Sequence, residues 1–298
     1  MVASGPTGPR RRLGAELRRL RTGKGLHLDA VAGRLQCSTS KISRLETGKG
    51  VPKPVDVRAL MQLYEVTGDA EREMLLRLVR ESRTEGWWTS YTEGVQPEKF
   101  FLDAPGRYAA LETDAVGLKA FDLSVLHGLL QTEDYARVVL SGQLPRRSRQ
   151  EVDQLVELRM RRQDALYRTS PLRLDMVVDE SVLARTVGSR AVMEAQMRRL
   201  LELMELPTVS IRLFPFEAGV DRAHMGHFTL LAIPEDLGSD LVYIEGLAGE
   251  TLLESESDLD LYRDVFDDAL ARSLDADASR EAVRRSASRF ASPWKATP

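Results

Sequence analysis

Six side chains within one short stretch, Ser38, Thr39, Ser40, Lys41, Ser43 and Arg44, combine hydroxyls with cations. Hydroxyls donate and accept hydrogen bonds, and cations seek phosphate oxygens or the acceptor edge of guanine. Lys49 and Lys53 extend the set into K-G-V-P-K-P, a loop punctuated by two prolines. Such a set can address double-stranded DNA only if a rigid element holds it outward. Ser38 is suited to cap a helix by accepting a backbone N–H bond, and Ile42 and Leu45 give that helix an inward stripe. Ahead of it, Val31, Ala32 and Leu35 lie on one face of another helix, with Gln36, Cys37 and Ser38 as the turn between them. The spacing predicts a helix, a short turn and a second, outward-facing helix. On it, Thr39, Ser40, Lys41 and Arg44 are placed for base edges, while Ser43, Lys49 and Lys53 are placed for phosphates.

Elsewhere the chemistry is thinner. His224 and His227 are two residues apart, a spacing compatible with metal ligation, but they sit between F-E-A-G-V-D-R and a predicted strand and no cysteine joins them. The alternative is a pair of loop histidines, and His127 beside Gly128 is likewise read as loop packing rather than a general base. Asp179, Glu180 and Glu245 fall at predicted strand ends, where they can line a cleft or cap helices and form interface salt bridges. Without a nucleophile motif, a Gly-rich phosphate loop or a metal set, no catalytic residue, cofactor or metal site is expected, and the chain is read as a non-enzyme. Cys37, the single cysteine, excludes an internal disulfide and is read as a packed thiol.

The chain has 298 residues and is 43% hydrophobic, enough for two domains with a sizeable core. The net charge of −3 hides an asymmetry: residues 1–80 carry 16 Lys and Arg against 8 Asp and Glu, while residues 81–298 carry 26 against 37. The head is therefore +8 and the remainder −11, and the basic part is the part with the outward cationic helix. No apolar run is long enough for a membrane span and the N-terminus lacks the apolar core of a signal peptide, so a cytoplasmic protein is expected.

Periodicity sets the organisation. Residues 1–12 are expected to be a disordered basic arm, with Arg10, Arg11 and Arg12 leading into the first helix; such an arm can touch the DNA backbone or remain a solvated tail. Helices are expected over 55–64 and 70–83, and G-W-W-T-S-Y at 86–91 marks a hinge with Trp87 and Trp88 near a core. Beyond it come expected helices at 104–120, after Thr132, at 148–168, 190–206, 257–274 and 279–290. Strands are expected around 172–178, 209–214, 227–233 and 241–245. The fold class is α+β: an all-helical helix-turn-helix bundle, then a domain with a small sheet flanked by helices. The expected domains are residues 13–84 and 85–275, with 276–298 a C-terminal helix and tail.

Residues 13–66 resemble the Cro/repressor-type (XRE) DNA-binding domain, with Leu13, Leu17 and Leu20 on the first helix, Ala32 at the helix contact, Ser38 at the turn, then I-S-R-L-E and a glycine. The resemblance implies a buried ion pair between Arg21 and Glu46. The sequence departs from the family at Leu28, where glutamine is common, and at Thr47, where asparagine is frequent. The second domain resembles the large C-terminal domain of actinobacterial antitoxin-like and WhiJ-like developmental regulators. The resemblance rests on Trp87-Trp88, G-L-L-Q-T-E-D-Y-A, R-x-x-R-Q at 159–163, V-V-D-E, L-P-T-V-S-I-R-L-F-P-F and Y-I-E-G. It implies a transcriptional regulator working with a small protein encoded nearby. A homodimer, and partner or small-molecule ligand sensing by the second domain, are the further expectations. An antitoxin-type protein whose DNA binding is secondary, or an enzyme with an autoregulatory head, are the alternatives.

Overall fold

The computed structural model describes residues 7–83, 86–92, 105–143, 148–234, 239–246 and 249–291. The described residues of Met1–Thr89, Gly106–Asp114 and Ile233–Ser239 make one compact unit; those of Ser90–Pro105, Ala115–Ala232 and Asp240–Pro298 make a second.

The first unit is helical: α1 (Thr7–Gly23), α2 (Leu28–Arg34), α3 (Thr39–Glu46), α4 (Pro54–Leu63), α5 (Asp69–Glu81), the single turn α6 (Thr89–Thr92) at its boundary, and α7 (Pro105–Asp114). Leu13, Leu17, Val31, Ala32, Ile42, Leu45, Val57, Leu60, Leu75 and Leu78 recur at helical spacing and form one core. Two expectations change here. Helix α1 starts at Thr7, so the basic triplet is helical rather than part of a disordered arm. Its N-terminus is tied down: the Gly8 amide donates to Asp114 Oδ2 at 2.8 Å, a carboxylate meeting an unsatisfied helix donor. Arg10 Nε reaches the Ser82 carbonyl at 2.8 Å and Arg11 Nη2 the Ser239 carbonyl at 2.7 Å, which turns both guanidinium groups toward protein. Residues 1–6 of the expected arm lie outside the described residues. The helix expected over 104–120 ends at Asp114, and its last residues belong to a strand.

The second unit is a six-stranded mixed sheet, ordered β3-β2-β1-β4-β5-β6. Its strands are β1 (Gly117–Asp122), β2 (Arg173–Asp179), β3 (Val209–Phe214), β4 (Phe228–Ala232), β5 (Leu241–Gly246) and β6 (Gly249–Leu253). The β1–β2 and β2–β3 pairs are parallel and the remaining three are antiparallel. The parallel connections carry α8 (Glu133–Gln143) and α9 (Arg149–Arg162), then α10 (Glu180–Ala184) and α11 (Arg190–Leu203); α12 (Glu256–Ala271) and α13 (Ala276–Ala291) close the chain. Thr132 Oγ1 accepts from the Tyr135 amide at the start of α8, and Ser148 and Glu151 form a capping box on α9. Burial separates the faces of the sheet. Leu118, Ala120, Leu174, Met176 and Ile211 are buried on one side, and Phe121, Val177, Phe214 and Phe228 pack with Phe266 of α12 on the other.

Helix α13, expected as a separate tail segment, is part of this core. Val283 and Phe290 are buried, the Ser279 hydroxyl accepts from the Leu213 amide at 3.0 Å, and the Leu274 amide donates to the Leu213 carbonyl at 2.8 Å. Those two bonds satisfy the outer edge of β3 at Leu213, which would otherwise present unpaired backbone groups.

Candidate nucleic-acid interface

Helix α3 is held from behind and left open in front. Ser38 has extended backbone (ψ 147) and its Oγ accepts from the Lys41 amide at 3.2 Å, the expected N-cap. Ile42 and Leu45 are buried, whereas Ser38, Thr39, Ser40, Lys41 and Arg44 are exposed and Ser43 is half-buried. At the far end Glu46 accepts both Arg21 Nε (2.7 Å) and Nη2 (2.9 Å), while Arg21 Nη1 donates to the Leu26 carbonyl at 2.7 Å. This is the ion pair that the family resemblance implied, bidentate and 9% exposed at both residues. Hydrogen bonding to Glu46 raises the Arg21 pKa further. Close packing completes the clamp, since a Cβ on Gly14 of α1 would lie 2.5 Å from the Glu46 carbonyl oxygen.

The loop after α3 continues the open face. Gly48 has φ +65, the left-handed conformation that ends the helix, and the Gly50 amide returns to the Arg44 carbonyl at 2.9 Å. Lys49 and Lys53 are exposed, and the charged heads of Arg44, Lys49 and Lys53 make no hydrogen bond or ion pair among the described residues. Lys41 differs: its Nζ lies 2.8 Å from Asp56 Oδ1 in the first turn of α4. Asp56 was not singled out from sequence; an acidic residue in the first turn after a proline N1 was its signal. The two departures from the family pattern have structural uses, because Leu28 packs on the core and the Thr47 hydroxyl donates to the Ser43 carbonyl at 2.8 Å. Cys37 also packs against that core.

In the second unit Asp179, Glu180, His127 and His224, among the candidate acid, base and metal residues, hold loops and helix ends. His224 Nδ1 accepts from the Asp221 amide at 3.0 Å, and its Nε2 lies within hydrogen-bond distance of Asp179 Oδ2 at 3.1 Å. Phe121 and Phe214 stack edgewise on the His224 ring. Asp179 caps α10 through the Ser181 amide at 2.9 Å, and Glu180 Oε2 accepts from the Phe216 amide at 3.0 Å. His227 is exposed and Glu245 half-buried. Among the described residues, no group of three or more His, Cys, Asp and Glu could hold a metal ion. His127 Nδ1 accepts from the Leu129 amide, and burial with Arg162 and Arg159 nearby holds its pKa well below the ordinary value. Asp122 accepts from the His127 amide at 2.6 Å, and burial pushes its pKa up to about 7.

Two motifs far apart in sequence meet beside it. Gln163 Nε2 donates to the Gln131 carbonyl (2.6 Å), Arg159 Nη1 to Gln131 Oε1 (2.9 Å) and Gln196 Nε2 to the Leu130 carbonyl (2.7 Å). G-L-L-Q-T is thus held by R-x-x-R-Q and by α11 through buried amides, each of which must find such partners.

The family described as a domain of unknown function (DUF5753) matches residues 105–285. The chain belongs to that family. A helix-turn-helix domain matches residues 12–75 at its N-terminus, which supports a DNA-binding regulator. In this DUF5753 member the matched region runs from α7 into α13, further toward the C-terminus than residue 275. No curated protein and no solved structure matches the chain. Among the described residues no helix is long and apolar enough to cross a membrane.

Proposed function

We propose that this DUF5753 member is a cytoplasmic, sequence-specific transcriptional regulator whose Cro/repressor-type (XRE) head reads the major groove of DNA as part of a homodimer. The observation that carries the reading is the outward face of α3, capped by Ser38, clamped by Arg21–Glu46, and followed by a loop with two exposed lysines. Thr39, Ser40, Lys41 and Arg44 contact base edges, and Ser43, Lys49 and Lys53 contact phosphates. The chain beyond residue 80, at −11, is repelled by DNA, and the second unit serves dimerisation and the sensing of a small partner protein or ligand, a reading that the resemblance to antitoxin-like and WhiJ-like regulators working beside a small partner protein supports. It is not an enzyme in this reading: Asp179, Glu180 and His224 are engaged in capping and loop contacts.

Selection of bound fragments from a random duplex pool gives the test. The full chain should enrich a palindromic site, and Arg44→Ala should weaken that site by about 1 to 3 kcal/mol while relaxing preference at one base pair per half-site. Lys53→Ala should weaken specific and scrambled duplexes alike. Equal binding of wild type and Arg44→Ala to both duplexes would reject the assignment.

A further inference from the structure

A cavity of about 580 Å³ lies on the sheet face that α12 covers only in part. The register explains its shape. Arg173, Gly117 and Ala232 form one row across β2, β1 and β4; Asp175, Lys119 and Leu230 form the next. The third row, Val177, Phe121 and Phe228, is buried with α12 residues such as Phe266. Gly117 and Ala232 hold the centre of the first row low, so the two open rows make a trough with an apolar floor, and Arg263 and Asp267 of α12 stand at its edge.

The charges of the lining balance. Lys119, Arg173 and Arg263 face Asp175, Asp240 and Asp267. Four of the six are already paired: Lys119 Nζ lies 3.1 Å from Asp267 Oδ1 and over the Phe266 ring, and Arg263 Nη2 lies 3.0 Å from Asp240 Oδ2. Although Lys119 is the register partner of Asp175, its ammonium turns to α12 instead. Arg173 and Asp175 therefore stand two residues apart on the same strand face, one cation and one anion, without an ion pair among the described residues. Their spacing along the strand is about 7 Å.

We infer that this trough binds a small zwitterion of amino-acid or dipeptide type, its carboxylate on Arg173, its ammonium on Asp175 and its apolar part over Leu230 and Ala232. A balanced lining disfavours polyanions, and the volume lies within the range of small-molecule sites, ~300 to 1,000 Å³. The inference deepens the ligand-sensing part of the proposed function and rests on it only for the consequence at DNA.

The test is calorimetric titration of the full chain, without DNA, with the twenty L-amino acids and the dipeptides Ala-Ala, Leu-Leu and Gly-Phe. Each binder is repeated as its N-acetyl and its C-amide form. At least one free zwitterion should bind, and either modification should weaken it roughly 10- to 100-fold, as loss of a charge-assisted hydrogen bond does. Arg173→Gln should make the acid and amide bind alike, Asp175→Asn should make the amine and acetyl forms bind alike, and Ala232→Trp, which fills the trough, should abolish binding. Absence of any binder, equal binding of capped and free forms, or unchanged discrimination in both charge variants overturns the site. Affinity for a selected duplex is then measured with the binder present: no change there refutes sensing while leaving the site intact.

Discussion

Lys41 enters the proposed DNA-facing set with its charge already engaged, because Asp56 holds its ammonium at 2.8 Å on a partly exposed surface. A pair of this kind contributes little to stability, ~0 to 1 kcal/mol, but it competes with any phosphate or base for the same ammonium. Asp56→Asn should therefore tighten DNA binding by roughly 2- to 5-fold, with under about 1 kcal/mol lost from the fold. In a Lys41→Ala background the same substitution should do nothing, a double-mutant cycle measured by fluorescence anisotropy; an equal gain in both backgrounds refutes the competition. Two buried groups behind this surface and in the second unit answer to stability measurements instead. Tyr64 is 1% exposed, its hydroxyl has no hydrogen-bond partner among the described residues, and burial raises its pKa to about 12. Tyr64→Phe removes an unsatisfied group and should be neutral or stabilising by up to ~2 kcal/mol in urea titrations, whereas a clear loss would reveal a missing partner. For Asp122, burial raises the pKa from an ordinary 3.8 to about 7, so between those values the folded chain holds a proton that the unfolded chain has released. Its contribution to stability is full below about pH 4 and falls as pH rises toward 7, by up to roughly 4 kcal/mol. Asp122→Asn should flatten that part of the stability profile, and an unchanged slope would refute the assignment.

Helices pack as closely as their smallest residues permit, and α1 meets α3 at Gly14. A Cβ there would sit 2.5 Å from one backbone oxygen and 2.7 Å from another, neither of which can move without shifting α3 itself. Gly14→Ala should cost about 1 to 3 kcal/mol by overpacking and should lower DNA affinity through a displaced recognition helix. Gln36, in the turn before α3, has φ +49 without being glycine, and Gln36→Gly should stabilise the head by up to about 1 kcal/mol while leaving DNA affinity unchanged. Thermal unfolding of the two variants, opposite in sign, checks both. The recognition element was legible because the Ser38 cap, the Ile42 and Leu45 stripe and the polar outward face all agree within ten residues. Strand β1 was not: A-V-G-L-K-A-F-D continues an alanine-rich helical stretch, and Leu118, Ala120 and Phe121 are buried on opposite faces, so the apolar residues do not alternate. Strand β6 was likewise missed, being a short strand that among the described residues pairs only with β5. The trough was hidden for another reason. Gly117 and Arg173 become neighbours only through parallel pairing, which local periodicity does not specify, and Lys119 turning to Asp267 is a tertiary choice between two nearby carboxylates.

At the scale of the whole molecule, a +8 head is joined to a −11 remainder, and in the proposed reading this separation restricts DNA contact to the head. One such head offers a single recognition helix, Thr39–Glu46, with few side chains able to reach base edges. In the proposed dimer, joining two heads through the second unit makes the second docking event intramolecular, which raises affinity by ~10² to 10⁴ without a new contact, provided the half-sites face the same side of the duplex. That condition recurs once per helical turn, about 34 Å or 10 to 10.5 base pairs. Inserting five base pairs between the half-sites of a selected duplex should therefore lower affinity by about 10²-fold or more, and inserting ten should restore part of it as the two sites return to one face. The geometry of the linkage then decides the rest: a rigid dimer recovers little at ten base pairs, a flexible one recovers most. Sedimentation of the full chain at micromolar concentration measures the dimer directly. A monomer that binds the five- and ten-base-pair insertions as tightly as the parent site would show that one head suffices, and would remove dimerisation from the role proposed for the second unit.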